Sequence, residues 1–147
     1  MGQTATNVTL YDCDGNPVEL HSLCRHRVAH VYTFAEWCPS CRTFVRDQLE
    51  VKHGQYAAMG DLATWVVVTA VTSGALDATG CRRIRDSYGI DTPGITVLFD
   101  PAGQTNSVLG MFPNANDLVM ARHNRVVINA RYSGEIGLQQ AFASTTP

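Results

Sequence analysis

The amino-acid sequence predicts an α/β fold, a three-layer α/β/α sandwich with an N-terminal β-hairpin extension. Two runs rich in β-branched residues, 28–34 and 65–71, are apolar on both faces, as strands buried within a covered sheet are. Segments whose apolar residues recur at helical spacing follow these runs. The chain contains no internal repeat and no long linker. We therefore expect parallel strands joined by helices, in a single domain over residues 1–147.

Turn and capping residues define the remaining elements. A turn signal at 14–17 separates the two strands of the N-terminal hairpin. Pro39 takes the favoured first position of a helix, and Gly54 and Gly60 mark the exit from it. The expected elements are a hairpin at 8–11 and 18–20, strands at 28–34, 65–71 and 95–99, helices from Pro39 to Lys52, Thr79 to Tyr88 and about Gly134 to Ala143, and a second hairpin of 118–121 and 126–130 across His123-Asn124.

The composition excludes several classes of protein. A formal net charge of −2 and a pI near 6.2 give no electrostatic reason to expect nucleic acid or an anionic membrane as a partner. No apolar run reaches the roughly 20 residues of a membrane helix, so we expect no membrane segment. Residues 1–7 are polar and lack the apolar centre of a signal peptide. We expect either a cytoplasmic protein or a periplasmic or other extracytoplasmic one whose signal has been removed.

Five cysteines cannot all pair within one chain, so a complete disulfide framework is excluded. Cys38 and Cys41 stand at C-x-x-C spacing, whereas Cys13, Cys24 and Cys81 stand alone. We interpret this distribution as one redox or metal pair with three incidental thiols. A bridge between Cys13 and Cys24 stays open, because the sequence alone cannot place two sulfur atoms within bonding distance.

The segment Cys38-Pro39-Ser40-Cys41 lies where a buried strand gives way to a helix. Cys38 therefore stands at the start of the helix, where free backbone N–H groups and the helix dipole lower the pKa of a thiol. Cys41 follows one turn later on the same face, so it can attack a mixed disulfide formed at Cys38 and expel the substrate thiol. We predict that Cys38 is the exposed attacking cysteine and Cys41 the shielded resolving one.

A C-x-x-C pair is also half of a structural zinc site. Such a site needs a second Cys or His pair at ligand spacing, and neither the remaining cysteines nor His21, His26 and His30 provide one. The strand–motif–helix context therefore favours redox chemistry over zinc.

Most of the chain resembles a known family. Residues 34–41 look like the active-site segment of thioredoxin-like proteins, and the order of the other elements looks like the TlpA/ResA and AhpC/TSA (redoxin) branch. The matching segments outside the dithiol are Leu10-Tyr11-Asp12 with Asp14-Gly15, Val18, Leu20 and Leu23, then Tyr88-Gly89-Ile90, Val97-Leu98-Phe99-Asp100-Pro101 and Asn124-Arg125-Val126-Val127. Only the dithiol segment is highly specific.

The resemblance implies a substrate-binding groove beside the dithiol. Family members carry a cis-proline that faces the two cysteines, and Pro113, preceded by Phe112, is preferred here over Pro93 because it leaves a hairpin and a terminal helix behind it. Asn114 to Asp117 then look like a small insertion. Pro39 within the motif and Trp37 beside it complete the expected groove.

Two departures from the family pattern concern the proton acceptor of the resolving cysteine. Thioredoxins usually place a buried acid six residues before the first cysteine, and many TlpA-like proteins place a glutamate early in the helix; these positions hold Tyr32 and Phe44. Glu36 and Asp47 are the candidate substitutes, although an exposed charge is the simpler reading of both.

These observations predict a thiol–disulfide oxidoreductase that exchanges its dithiol with protein disulfides, in the reductive direction. No cofactor is required, because the cysteine pair holds the electrons. The resemblance implies an upstream dithiol donor, either a thioredoxin or a membrane reductase, and a monomer. Two alternatives stay open: a thiol peroxidase of AhpC/TSA type, resolved by Cys41 or Cys81, and a non-enzymatic copper or zinc carrier.

Overall fold

The structure is a computed structural model that describes residues 2–146. The strands are β1 (Thr9–Asp12), β2 (Pro17–Glu19), β3 (Val28–Ala35), β4 (Leu62–Ala70), β5 (Ile95–Phe99), β6 (Asn116–Ala121) and β7 (Arg125–Arg131). The helices are α1 (Pro39–Asp47), α2 (Leu49–Ala57), α3 (Ala78–Ser87), α4 (Gln104–Ser107) and α5 (Gly134–Ser144), with 3₁₀ segments at Leu20–Arg25 and Arg122–Asn124.

All seven strands form one mixed sheet in the order β2-β1-β5-β4-β3-β6-β7. Strands β3, β4 and β5 are parallel, and the hairpin strands at both edges are antiparallel. All eight residues of β3 are buried, because this strand has partners on both sides and layers on both faces. Its carboxyl end at Ala35 leads into the dithiol segment.

The two faces of β3 pack against different layers. Tyr32 and Phe34 pack with buried residues of α1 and α3, and Val28 packs with buried residues of α2 and α5. The alternate residues Ala29 and Val31 face the 3₁₀ segment at Leu20–Arg25 and the loop that carries Met111. The expected three-layer α/β/α arrangement is therefore confirmed, with four helices on one face and a thinner cover on the other.

The expected elements are present, with two differences in detail. The helix predicted from Pro39 to Lys52 is divided at Gln48, whose φ of −124° breaks α1 from α2. The buried positions nevertheless continue at four-residue spacing through Cys41, Val45 and Leu49, so the core-facing side runs on across the break. Gly54 lies inside α2 instead of ending it, and α2 continues to Ala57.

The interpretation of Cys13, Cys24 and Cys81 as three incidental thiols is wrong for two of them. Cys13, directly after β1, forms a disulfide with Cys81 in α3, whereas Cys24 is a free, half-buried thiol. The open Cys13–Cys24 pairing is thereby also excluded. The two residues that bond are 68 positions apart in the sequence, and the β1–β5 and α3–β5 contacts bring them together. Spacing in the sequence carries no signal of that proximity.

This bridge attaches the edge hairpin to the helix layer, so we expect it to contribute to stability. Closing a loop of 68 residues corresponds to about 4 kcal/mol of lost entropy in the unfolded chain. The Cys13→Ala/Cys81→Ala variant should lower the free energy of unfolding, measured by urea titration, by an amount of that order. Cys24→Ala is the matched control and should leave it nearly unchanged; equal losses in the two variants would contradict a structural role for the bridge.

Candidate active site

The dithiol lies at the carboxyl end of the parallel strands. After β3 the chain turns through Glu36 and Trp37, and the turn is closed by the Cys38 N–H, which donates to the Ala35 carbonyl at 3.0 Å. Cys38 is the N-cap of α1 in an extended conformation (φ −89°, ψ 113°). Pro39 follows as the first helical residue, where its missing N–H costs no hydrogen bond.

Three groups surround the Cys38 sulfur. The Cys41 backbone N–H donates to Sγ at 3.3 Å, Ser40 Oγ lies at 3.3 Å, and the Asn114 amide Nδ2–H donates at 3.5 Å. Burial opposes ionisation of this thiol, but hydrogen bonds from the side chains of Cys41, Ser40 and Asn114 and from the Cys41 backbone N–H outweigh it and lower the pKa of Cys38 to about 7. Cys38 is therefore substantially ionised near neutral pH.

Cys41 has the opposite properties. Cys41 is completely buried, and burial together with the hydrogen bond to Cys38 raises the pKa of its thiol. The predicted shielding of Cys41 is thus observed. The predicted exposure of Cys38 is wrong: the residue is only 3% exposed, because the loop before β6 brings Asn114 against it.

The two candidate acids are occupied elsewhere. Glu36 forms a two-pronged ion pair with Arg83 in α3 (2.8 and 2.7 Å) and accepts from the Thr72 N–H at 2.8 Å. The Arg83 hydrogen bonds lower the pKa of Glu36 to about 2, so it stays ionised and fixes the turn before Cys38. Asp47 is exposed and pairs with its neighbour Arg46 at 3.1 Å. The reading as an exposed charge therefore holds for Asp47 and is wrong for Glu36, whose side chain is only 12% exposed.

The residue that does contact Cys41 is Tyr32. The two residues belong to one buried cluster, the Tyr32 hydroxyl favours the ionised form of the Cys41 thiol, and burial raises the pKa of Tyr32 well above its usual range. Phe44 in α1 packs against the Tyr32 ring at 4.6 Å between centroids. The two positions where the family carries an acid therefore hold an aromatic pair, one member of which supplies a neutral hydroxyl.

The expected cis-proline is not observed. None of the peptide bonds described by the structure is cis, and both Pro93 and Pro113 are trans. Pro93 precedes β5, which runs parallel to β3, so it lies at the opposite end of the sheet from Cys38. Pro113 is exposed in the loop before β6, on the dithiol side.

The loop at Pro113 reverses direction without a cis bond. Ala115 has a φ of +54°, and the Asn116 side chain accepts from the Phe112 N–H at 3.0 Å. The Thr33 hydroxyl donates to the Phe112 carbonyl at 2.8 Å, which fastens the loop to β3. This arrangement points the Asn114 amide at Cys38. Asn116 and Asp117 begin β6, so this strand starts two residues earlier than predicted.

Exposed aromatic side chains lie close to the dithiol. Trp37 and Phe112 are 52% and 54% exposed. Tyr132, which the sequence analysis did not single out, hydrogen-bonds through its hydroxyl to Ser40 at 3.2 Å and is 68% exposed. The Arg131 guanidinium lies over the rings of both Phe112 and Tyr132, at 5.2 and 5.3 Å. The only sequence signal for Tyr132 and Arg131 is their position at the end of the second hairpin.

Within residues 2–146, His, Cys, Asp and Glu side chains form no group of three or more in a metal-binding arrangement. No helix in that part of the chain combines the length and the apolar character needed to cross a bilayer.

No family model matches the sequence, and no curated protein matches it either. Solved structures do match. A thioredoxin-like protein from Aeropyrum pernix superimposes with a TM-score of 0.71 at 16% identity, over 95% of this chain and 89% of that one. A putative thiol:disulfide interchange protein DsbE from Chlorobium tepidum gives 0.68 at 20% identity, over 96% of both chains.

The similarity also extends to a peroxidoxin. Peroxidoxin BcpB from Mycobacterium tuberculosis superimposes with a TM-score of 0.67 at 16% identity, over 97% of this chain and 93% of that one. At these identities the comparisons establish the fold. The chain has the thioredoxin-like fold that its dithiol segment and element order suggested.

The site predicts a measurable titration of Cys38. The rate at which iodoacetamide alkylates Cys38 in the reduced protein, followed by peptide mass spectrometry, should rise with pH and reach half its maximum near pH 7. Asn114→Ala removes one donor to the thiolate, so the midpoint should move upward, toward the value of about 8.5 of an ordinary cysteine. Asn7→Ala, at an exposed asparagine in the N-terminal segment, is the control. A midpoint that stays unchanged in Asn114→Ala would show that this amide does not stabilise the thiolate.

Proposed function

We propose that this protein is a thiol–disulfide oxidoreductase that reduces protein disulfides through Cys38 and Cys41. The observation that carries the proposal is the Cys38 sulfur at the start of α1, with a backbone N–H at 3.3 Å and a pKa of about 7, one helical turn from a buried thiol. An ionised thiol beside a protonated one is the arrangement that dithiol exchange requires.

The reaction has two exchange steps. The Cys38 thiolate attacks one sulfur of the substrate disulfide, so a Cys38–substrate bond forms, the substrate S–S bond breaks, and the other substrate sulfur leaves as a thiolate. Cys41 then loses its proton and attacks Cys38, which forms the Cys38–Cys41 disulfide and releases the second substrate thiolate. Two electrons pass from the protein dithiol to the substrate, and the two thiolates take up protons from solvent.

The pKa of Cys38 supports the reductive direction. Strong dithiol oxidants stabilise their reduced form through a thiolate of very low pKa, about 3.5, whereas the reductant thioredoxin has about 7. Cys38, at about 7, resembles the reductant, because burial counteracts the hydrogen bonds to its sulfur. The hydroxyl of Tyr32, in place of an acid, adds no charge next to the dithiol.

Trp37, Phe112, Pro113 and Pro39 supply the surface for the substrate. All four are exposed around the buried Cys38, and aromatic side chains of this kind bind extended peptide segments through apolar contact. Arg131 holds Phe112 in place by stacking on its ring. The substrate class is therefore a cysteine-bearing protein segment.

The electrons held by the dithiol need no cofactor, but the oxidised protein needs an upstream dithiol donor, a thioredoxin or a membrane reductase.

We place the protein in an extracytoplasmic compartment, because the buried Cys13–Cys81 disulfide is of a kind that persists where the surroundings are oxidising. The expectation of a monomer rests on the resemblance alone.

The thiol peroxidase alternative loses one of its two resolving cysteines. Cys81 is bonded to Cys13, so only Cys41 can resolve an oxidised Cys38. Rapid consumption of hydrogen peroxide by the reduced protein, at a rate that exceeds disulfide reduction, would favour the peroxidase.

Removing the resolving cysteine should trap the substrate. Cys41→Ser leaves Cys38 able to attack but removes the second step, so a mixed disulfide with a protein substrate such as insulin should accumulate and appear as one added mass on non-reducing electrophoresis. Cys38→Ser should form no such adduct. An adduct that persists in Cys38→Ser and maps to Cys24 or Cys41 would assign the attacking sulfur to another residue.

The apolar surface predicts a selective effect on protein substrates. Trp37→Ala and Phe112→Ala should each raise KM for a protein disulfide by about threefold to tenfold, since each removes one exposed contact, and should leave the reduction of a small aromatic disulfide nearly unchanged. Val51→Ala, at a position 71% exposed on α2, is the control. Equal effects on both substrates would place these side chains outside the protein-binding surface.

A further inference from the structure

A buried, hydrogen-bonded pair of a histidine and an aspartate lies close to the dithiol without a part in the exchange steps described above. His30 in β3 and Asp117 in β6 have side chains that are each only 5% exposed, and Nε2 lies 2.6 Å from Oδ1. The second Asp117 oxygen accepts from the Ser133 N–H at 3.0 Å, directly before α5. Burying a carboxylate and an imidazole costs desolvation energy, so their retention next to an active site calls for a chemical explanation.

The pair opens into a cavity that reaches the dithiol segment. The cavity has a volume of about 540 Å³, and Tyr32, His30, Asp117 and Ser40 are among the residues that line it. Gly134 makes the close approach of α5 to the pair feasible, because a Cβ at that position would lie 2.7 Å from Asp117 Oδ1. Water can therefore occupy the space between Tyr32 and the pair.

Tyr32 stands between Cys41 and the pair. Tyr32 packs with Cys41 in one buried cluster, and across the sheet it is in register with Asp117. On its own strand it lies two residues from His30, edge to face with that ring at 6.5 Å between centroids. The groups thus follow one another in the order Cys41, Tyr32, then His30 and Asp117.

The second exchange step needs a proton acceptor at this place. Burial and the hydrogen bond to Cys38 raise the pKa of Cys41, so it must give up a proton as it attacks. Tyr32 cannot keep a negative charge, because burial raises the pKa of its hydroxyl far above the usual range. A hydroxyl that accepts a proton from Cys41 must therefore release its own proton to a group behind it.

We propose that the His30–Asp117 pair takes up the Cys41 proton through the Tyr32 hydroxyl while Cys41 attacks the mixed disulfide. The proton leaves Cys41 for the Tyr32 oxygen, and the Tyr32 proton passes across cavity water to the pair. The Cys41 sulfur bonds to Cys38, and the substrate thiolate departs with the electron pair of the broken S–S bond. The pair then returns the proton to solvent through the cavity. The proposal rests on the proposed function.

Other charged groups near the cavity are occupied. Lys52 of α2 and Glu135 of α5 pair with each other at 2.8 Å, and the Tyr132 hydroxyl bonds to Ser40. From α1 the cavity lining takes only the uncharged side chains of Ser40, Thr43 and Phe44. His53, buried in α2, bonds to the Thr64 hydroxyl at 2.8 Å, and burial lowers its pKa. The His30–Asp117 pair is thus the acceptor that best suits the position of Tyr32.

The two exchange steps can be followed separately with the aromatic disulfide 5,5′-dithiobis(2-nitrobenzoate). Each mole of dithiol should release one coloured thiolate when Cys38 attacks and a second when Cys41 resolves the adduct, so stopped-flow absorbance gives two phases. A parallel Cys24→Ala protein identifies the separate signal of that free thiol. Tyr32→Phe, which removes a single oxygen atom, should slow the second phase at least about tenfold and move its pH profile upward. Asp117→Asn should do the same. His30→Gln serves as the second variant of the pair, because the change at Asp117 would also weaken the contact with Ser133.

The matched control is Asp61→Asn, which breaks the exposed His26–Asp61 pair (2.9 Å) at the far end of β3. It should leave both phases unchanged, and every variant should keep the rate and pH midpoint of the first phase. A second phase in Tyr32→Phe or in the folded pair variants with the wild-type rate and pH profile overturns the proposal and leaves the proposed function standing. A wild-type protein that lacks the second phase contradicts the proposed function itself.

Discussion

The site depends on the hydrogen bond from the Cys41 backbone N–H to the Cys38 sulfur at 3.3 Å. It exists because β3 ends at Ala35 and α1 begins at Pro39, which leaves Cys38 as the helix cap and gives its sulfur a free N–H one turn away. The same geometry places the Cys41 side chain behind Cys38, where it is buried and protonated. One helix start therefore separates the two thiols into an ionised attacker and a neutral resolver.

Two neighbouring elements hold that helix start in position. The turn before Cys38 is fixed by the Glu36–Arg83 ion pair, which connects it to α3, and α3 is in turn linked to β1 through the Cys13–Cys81 disulfide. On the other side, Thr33 fastens the loop that carries Asn114. The pKa of Cys38 is thus set by its own helix start, through Ser40 and Cys41, and by Asn114 from a loop distant in sequence. It reaches about 7 and no lower, because the burial that these contacts produce opposes ionisation.

The sequence predicted the fold and the dithiol well, because both are local signals. Periodicity places β3 and β5, and Pro39 after a buried strand marks the start of α1. The contacts that tune the site were not predictable in this way. Cys13 and Cys81 meet only through the sheet order, and Asn114 reaches Cys38 because Ala115 adopts a left-handed conformation that no proline pattern indicates. Asp117 lies opposite Tyr32 because of the register between β3 and β6, which local sequence patterns do not indicate.

The central claim is that Cys38 and Cys41 exchange electrons as a pair and favour the reductive direction. The most direct measurement is the equilibrium of that pair in graded glutathione buffers, read by thiol labelling and peptide mass spectrometry so that the Cys13–Cys81 bridge is scored separately. The account predicts a Cys38–Cys41 disulfide with a potential near the about −270 mV of thioredoxin. A potential near the about −120 mV of the strongest dithiol oxidants would contradict the direction, and failure of the disulfide to form at any ratio would contradict the claim itself.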